Sequence, residues 1–515
     1  MRIVKLFFFL RVFCAMIGKP SKVRKLFGHS SHYAIGTVLA TLSHLVTFPV
    51  FTRIFSVADY GMLSLITVGI STVLAVSKLG LTTSAVRMYE ECRSEEGQFS
   101  IENYYSTFFI TACVAGSLIS LAYAAFVFLF YDKLFDSAWS GLFLFTAFII
   151  CCRTVNAILC SFLRAEQRTK LFNAFSVALT YLGSGLSIFL ALFIIKGLWG
   201  FYTAQFIAES MALIILFRHL AKRYRPKLND FSLPLMRISL KFGLPLVGLE
   251  FLNHILTYGD RFLIQLFCNP DALGIYSVGY NLASYVSNIL LVPLSFAVTP
   301  VLMETWARDG EEATRRFLTS TTRYVALVFF PVLAGFIAVG DELLLLLASA
   351  KYRDAGIIIP FAVIGAGFFA LANVFNAGLI IHKKTGKILL HSFIAATLNI
   401  LLNLLLIPKL GIIGAAIATL IAYGFFFIAI SISSFALLSF PLRYGKIFLY
   451  LLLSVLMAGC TTMITFDNLL LSLVCKILSG ILVYAVLIVL LDREVRAIVV
   501  QSLKSKSFKG LFLRG

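Results

Sequence analysis

Fourteen windows of about twenty mostly apolar residues run through the sequence, at about 33–55, 62–85, 107–130, 141–163, 171–194, 198–217, 241–266, 274–301, 322–340, 356–381, 388–407, 411–435, 446–466 and 470–491. Each is long enough to cross roughly 30 Å of hydrocarbon as an α-helix. Lipid offers backbone amides no water to bond, so windows of this kind fold as helices. Little charge is left for an aqueous surface: 13% of the 515 residues carry one, while 60% are hydrophobic. These features specify an all-α integral membrane protein with about 14 transmembrane helices and argue against a soluble enzyme.

The formal net charge of +20 suits nucleic acid, but its placement points to the bilayer. With the N-terminus in the cytoplasm, most Lys and Arg fall in the N-terminal tail, the 218–241 loop, the "HKKTGK" turn at 382–387 and the tail after Leu491. The exterior turns "SVADYG" (56–61) and "FCNPDALG" (267–274) are nearly free of them. This positive-inside bias places both termini in the cytoplasm, and the basic surplus faces anionic membrane lipids. Residues 1–32 are basic with an apolar middle that Arg11 interrupts. They read as an interfacial helix on the inner leaflet rather than a cleaved signal. None of the nine cysteines forms a C-x-x-C pair, so neither a disulfide framework nor a metal site is expected. No G-x-x-x-x-G-K-[ST] loop occurs, so no direct use of ATP and no cofactor is expected.

The windows repeat. "GIIGAAIATLIAYG" from Gly411 matches "GLWGFYTAQFIAE" from Gly197, and "ADYGMLSLITVG" from Ala58 matches "DALGIYSVGYNL" from Asp271. The basic turns "RTK" (168–170) and "KKTGK" (383–387) fall in the same order. Two homologous six-helix bundles follow, with two helices after them. Six is even, so the bundles share an orientation and their pseudo-twofold axis runs along the membrane normal. The expected organisation is an N-terminal segment 1–32, an N-lobe 33–218, a basic linker 219–240, a C-lobe 241–435, helices 13–14 within 446–491 and a basic tail 492–515. Gly414, Ala418 and Ala422, and likewise Gly200, Ala204 and Ala208, make smooth helix stripes that permit close packing.

Ionisable groups at membrane depth are expensive and mark function by default. Lys78, Arg153 and Arg261 are candidate substrate cations, and Glu250, Glu209, Asp260 and His254 candidate ion-coupling groups. Each has a structural alternative. Lys78 can snorkel, Glu209 can simply pair with Arg153, and Asp260 can neutralise its neighbour Arg261. His254 lies one turn from Glu250 and can share a proton with it. His44 and His254 both read also as packing residues. A phosphate-bearing substrate would use the cations. Asn253, Tyr280, Asn281, Asn288, Asn373 and Asn376 are suited to sugar hydroxyls or to bridging helices.

The stretches "FTRIFSVADYGMLSL" (51–65), "DRFLIQLFCNPDALGIYSVGYNLA" (260–283) and "LNILLNLLLIPKLGIIGAAIATLIAYG" (398–424) resemble the Wzx-type polysaccharide-biosynthesis flippases of the multidrug/oligosaccharidyl-lipid/polysaccharide exporter superfamily. The resemblance runs from about residue 30 to 490. It implies two pseudo-symmetric six-helix lobes in a V-shaped exporter fold plus two C-terminal helices. It also implies translocation of an undecaprenyl-pyrophosphate-linked oligosaccharide (an O-antigen, capsule or exopolysaccharide repeat unit) across the bacterial inner membrane. A cationic cavity of the family's kind would suit Lys78, Arg153 and Arg261, whereas the acidic groups at depth depart from it. Alternating access is expected, with either a proton or sodium gradient or consumption of the product outside as its driver, and with glycosyltransferases and a polysaccharide polymerase as pathway partners. A lipid II flippase and a cation-coupled drug antiporter share the fold. A membrane polymerase or glycosyltransferase needs water-facing acid–base groups on sizeable loops, and no exterior loop here supplies a credible pair; no catalytic residue is assigned.

Overall fold

The structure, a computed structural model, describes residues 39–94, 97–134 and 139–497, of which 131–134 and 286–297 are described by backbone alone. The expected interfacial helix in residues 1–32 and the end of the basic tail lie outside the described residues. Fourteen α-helices, a further helical run at 493–497 and no strand occur among the described residues. They are α1 (Leu39–Ile54), α2 (Val57–Ser77), α3 (Leu81–Arg93), α4 (Ile101–Leu134), α5 (Ser140–Ala165), α6 (Thr169–Phe189) and α7 (Leu198–Ala221). There follow α8 (Leu233–Phe267), α9 (Pro270–Leu347), α10 (Ile359–Phe375), α11 (Ala377–Ile381), α12 (Thr385–Phe435), α13 (Tyr444–Thr462) and α14 (Leu469–Leu491).

Helices and spans do not correspond one to one. The 62–85 window is divided between α2 and α3 at Leu79 and Gly80, both in the left-handed region at φ 48° and 69°. The windows at 274–301 and 322–340 form one continuous α9, broken only at Gly310 (φ 79°). Those at 388–407 and 411–435 form α12, broken at Gly411 (φ 57°). Length and composition alone qualify ten described helices as membrane-crossing. α1 is too short in its described part, α9 and α12 each count once although each has two limbs, and α8 is diluted by Glu250, Asn253, His254, Asp260 and Arg261. The chain is a multi-pass membrane protein.

Local chemistry explains the equivalent starts of the two lobes. Ser56 caps α2 by accepting from the Asp59 amide at 3.0 Å, and its hydroxyl donates to the Asp59 carboxylate at 2.6 Å. At the equivalent place Asn269 caps α9 by accepting from the Ala272 amide at 2.8 Å, with Pro270 supplying the first helical residue. The small-residue stripes are buried: Ala204, Ala208, Ala418 and Ala422 have almost no exposed surface. Gly200 lies against the backbone of Ala191 and Ile195, and Gly414 against that of Leu406 and Ile407. Each half thus uses the same glycine to bring one helix start onto the end of the preceding helix.

Lipid-facing positions remain apolar and uncovered, as on α4 (Leu121, Phe128, Leu129) and α14 (Leu478, Ile481, Leu482). Helices α13 and α14 pack on each other and on α9. Tyr484 donates to the Leu327 carbonyl at 2.8 Å. The guanidinium of Arg323 on α9 meets Asp492, Glu494 and the Tyr450 hydroxyl. Burial alone would raise the Asp492 carboxyl, but hydrogen bonds from Lys446 and Tyr450 and the Arg323 charge hold it well below the usual carboxylate range. Near the other end of α14, Lys476 is paired with Glu342 of α9.

Candidate functional site

The lobes meet along α2 and α8, which lie side by side. Gly243, Glu250, His254 and Arg261 recur at intervals of seven, four and seven residues, so they share one face of α8. On α2, Ser64 and Lys78 lie four turns apart. Lys78 is the last residue before the Leu79–Gly80 break, and its ammonium meets the Glu250 carboxylate at 2.5 Å. The pair is partly accessible, with the Lys78 side chain 18% and that of Glu250 41% exposed.

Just beyond that pair the seam is shut. Gly80 lies so close to Gly243 that a Cβ on either would run into the other's backbone. Ser84 donates to the Ser239 carbonyl at 2.8 Å, and the Arg87 guanidinium sits 4.2 Å from the centre of the Phe242 ring. Gly80 also needs its left-handed backbone to restart the chain as α3.

The opposite end is shut by the repeat itself. Gly61 packs on Pro270 and Gly274, and Gly274 packs on Val57. These are equivalent positions of "VADYG" and "PDALG", so the pseudo-twofold axis passes between the two glycines. Around them, Arg53 donates to the carbonyls of Leu346 at 2.9 Å and Leu347 at 3.1 Å. Lys351 donates to the Phe55 carbonyl at 2.5 Å.

Arg261 is fully enclosed, 1% exposed beside Asp260 at 2%. It donates to Ser64 of the other lobe at 3.1 Å and to Asn281 at 3.3 Å, and the rings of Tyr258 and Tyr280 flank it. Asn281 in turn donates to the Tyr60 hydroxyl at 3.3 Å. Asp260 accepts from Tyr276 and, at 3.4 Å, from Thr419. The cation reads here as a tie between lobes. Between the two closures Thr67 is exposed, and Ser71, Glu250, His254 and Tyr258 remain partly accessible, so the seam stays open along its middle.

Arg153 lies within the N-lobe. Its Nε donates to Glu209 at 2.8 Å and its Nη2 to Gln205 at 3.0 Å, while Asn156 donates to the same Glu209 carboxylate at 2.8 Å. Of the seven candidates the structure therefore brings together Lys78 with Glu250, Arg153 with Glu209, and Arg261 with Asp260. His254 stands one turn from Glu250, its ring 5.7 Å from Tyr258, with Nδ1 unpartnered. Asn373 donates to its own helix at the Phe369 carbonyl; the Asn288 side chain lies outside the described residues.

Sequence reasoning passed over Lys476, Glu342 and Arg323. Lys476 was legible as a charge within the 470–491 window, but its partner lies 134 residues away. Among the described residues, no group of three His, Cys, Asp or Glu side chains could hold a metal ion.

A family model described as polysaccharide biosynthesis protein matches residues 29–306. The probable flippase AglR of Haloferax volcanii is 27% identical over 32% of this chain and 34% of its own length. The succinoglycan biosynthesis transport protein ExoT of Rhizobium meliloti is 21% identical over 64% of each. The matched part spans 34% to 64% of the length of the curated relatives. Among solved structures, the lipid II flippase MurJ in an inward closed conformation superposes with a TM-score of 0.72 at 17% identity, covering 90% of this chain and 99% of that one. That likeness establishes the exporter fold, with two six-helix lobes and two helices after them.

Proposed function

The chain belongs to the polysaccharide biosynthesis protein family, and from that premise we propose that it is a flippase for an undecaprenyl-pyrophosphate-linked oligosaccharide, moving it from the inner to the outer leaflet of a bacterial inner membrane. The observation that carries this reading is the Lys78–Glu250 pair, which joins the lobes across a partly accessible seam. A sugar headgroup cannot cross hydrocarbon unaided, because each unpaired polar group costs kcal/mol there. A pyrophosphate can replace Glu250 as the partner of Lys78 and so trade one ion pair for another, while the polyprenyl tail stays in lipid. Rocking the lobes about the glycine contacts then exposes the headgroup to the other side.

In this reading the Gly61 end faces the exterior and the Gly80 end the cytoplasm, where both termini lie. The N-lobe comprises residues 33–218, the C-lobe 241–435 and the added helices 446–491. Once Lys78 is taken, Glu250 with His254 is the place where a proton or sodium ion would enter. Glu209 and Asp260 are held by Arg153 and Arg261, which makes them second choices for coupling; Arg261 is enclosed and ties the lobes, so of these two cations only Arg153 keeps the access a substrate needs. Glycosyltransferases would supply the substrate, and a polymerase would consume it.

The test places the protein in vesicles with labelled lipid-linked oligosaccharide and follows exchange between leaflets. Lys78→Ala is expected to slow exchange by about tenfold or more, equivalent to about 1.4 kcal/mol, with Lys78→Arg largely active. Exchange that Lys78→Ala and Arg153→Ala both leave unchanged refutes the site. Exchange of lipid II in preference to other oligosaccharides assigns the chain to that substrate instead.

A further inference from the structure

At the Gly61 end, beside the seam and within the C-lobe, lies a half-open cavity of about 640 Å³ whose charged residues are exposed to solvent. Asp341 of α9, and Arg353 and Asp354 of the 350–358 turn, bring three charged side chains to it. None of the three has a hydrogen bond or ion pair among the described residues. The remaining wall is aliphatic, with Leu345 of α9 and Ile413 of α12 among the lining residues. Gly356 leaves room for the Asp341 carboxylate: a Cβ there would overlap its Oδ1.

The lining narrows the ligand by elimination. The volume is that of a small-molecule site and far exceeds what one ion needs. Two carboxylates around one guanidinium disfavour an anion, and the guanidinium disfavours a divalent cation. Three unpaired charges disfavour an acyl chain, which would leave them desolvated. A neutral sugar satisfies all of them. Its hydroxyls donate to Asp341 and Asp354 and accept from Arg353, and its C–H faces rest on Leu345 and Ile413. The position adds a role. Leu345 adjoins Leu346 and Leu347, whose carbonyls take Arg53, and Arg353 lies two residues from Lys351, which ties to Phe55. An occupied cavity therefore borders the contacts that close the lobes at this end.

We propose that this cavity is a sugar-binding site for neutral or acetamido hexose units, holding the glycan beside the exterior closure. The site's chemistry stands alone; only its delivery by transport rests on the flippase reading. The experiment is saturation-transfer difference NMR on the full chain in nanodiscs, with free glucose, galactose, N-acetylglucosamine and glucuronate as probes and calcium chloride as a competitor. At least one neutral hexose or acetamido sugar is expected to bind more tightly than glucuronate, which the two carboxylates repel. Ile413→Trp, which projects an indole into the cavity where a sugar face would rest, is expected to weaken that binding at least tenfold, and Arg353→Gln to weaken it with the fold undisturbed. Absence of any sugar signal, a signal that both variants leave unchanged, or displacement of sugar by calcium overturns the proposal. Leaflet exchange in vesicles reads the flippase assignment separately, since a sugar signal lost on obstructing the cavity supports the site with or without it.

Discussion

Adding one methyl group at Gly61 should hold the lobes apart at that end. A Cβ built there lies 2.2 Å from the Pro270 carbonyl oxygen and 2.8 Å from the Gly274 nitrogen, against the 3.4 Å at which ordinary contact begins. Both neighbours are backbone, so neither can rotate away, and the turns must part by more than an ångström. Overpacking of this kind costs about 1–3 kcal/mol. Within α2 itself Ala is the better helix former by about 1 kcal/mol, so the penalty falls on closure rather than on folding. If the contact exists in one conformation of a two-state equilibrium, 1–3 kcal/mol shifts the populations roughly 5- to 150-fold. Spin labels at Lys196 and Lys409, exposed equivalent positions at this end of the two lobes, read the separation by electron–electron dipolar spectroscopy in a cysteine-free background. Gly61→Ala and Gly274→Ala are each expected to add a longer distance. Gly69→Ala, on the same helix with nothing within 4 Å, is the control and should leave the distribution unaltered. Unchanged distances in both test variants would refute the claim that these glycines set closure.

Further outcomes follow from the buried charges and the second closure. Gly80→Ala meets the Gly243 backbone and a left-handed conformation at once, so labels at the opposite end should separate in the same way. Arg261→Leu strands the Asp260 carboxylate and should cost about 3–5 kcal/mol, seen as a lower melting temperature in detergent; adding Asp260→Asn should recover part of it. Arg323→Met leaves Asp492 with Lys446 and Tyr450 as partners, so its loss in the same assay should be smaller. The folded-state pKa of Asp492 is depressed, so its contribution is complete above the unfolded value of about 3.9. That contribution is lost only as pH falls from there through the lower folded value. A melting temperature of the wild-type protein that drops more steeply between pH 6 and 5 than that of Asp492→Asn would contradict this.

The helical architecture was legible because lipid restricts the chain to one kind of element, and a run of apolar residues reports it directly. The repeat was legible too, since "ADYG" and "DALG" recur at a fixed offset. That Gly61 and Gly274 touch was not, because similarity between halves says nothing about where their axis lies. Likewise the sequence placed Lys78, Arg153 and Arg261 at depth but left their partners open. Lys78 and Glu250 are 172 residues apart, and no local periodicity relates residues on different helices. Arg153 and Glu209 form the intralobe alternative that their depths allowed. Arg323 escaped notice because it stands at the edge of its window, where a cation passes for a cytoplasmic one; only the fold shows it enclosed by Asp492 and Tyr450.

The ties from α14 to α9, Arg323 with Asp492 at one end and Lys476 with Glu342 at the other, make the duplicated halves unequal partners in motion. If the lobes rock as proposed, the C-lobe would carry two passengers through the lipid and the N-lobe none, so two halves alike in pattern would differ in the drag each meets.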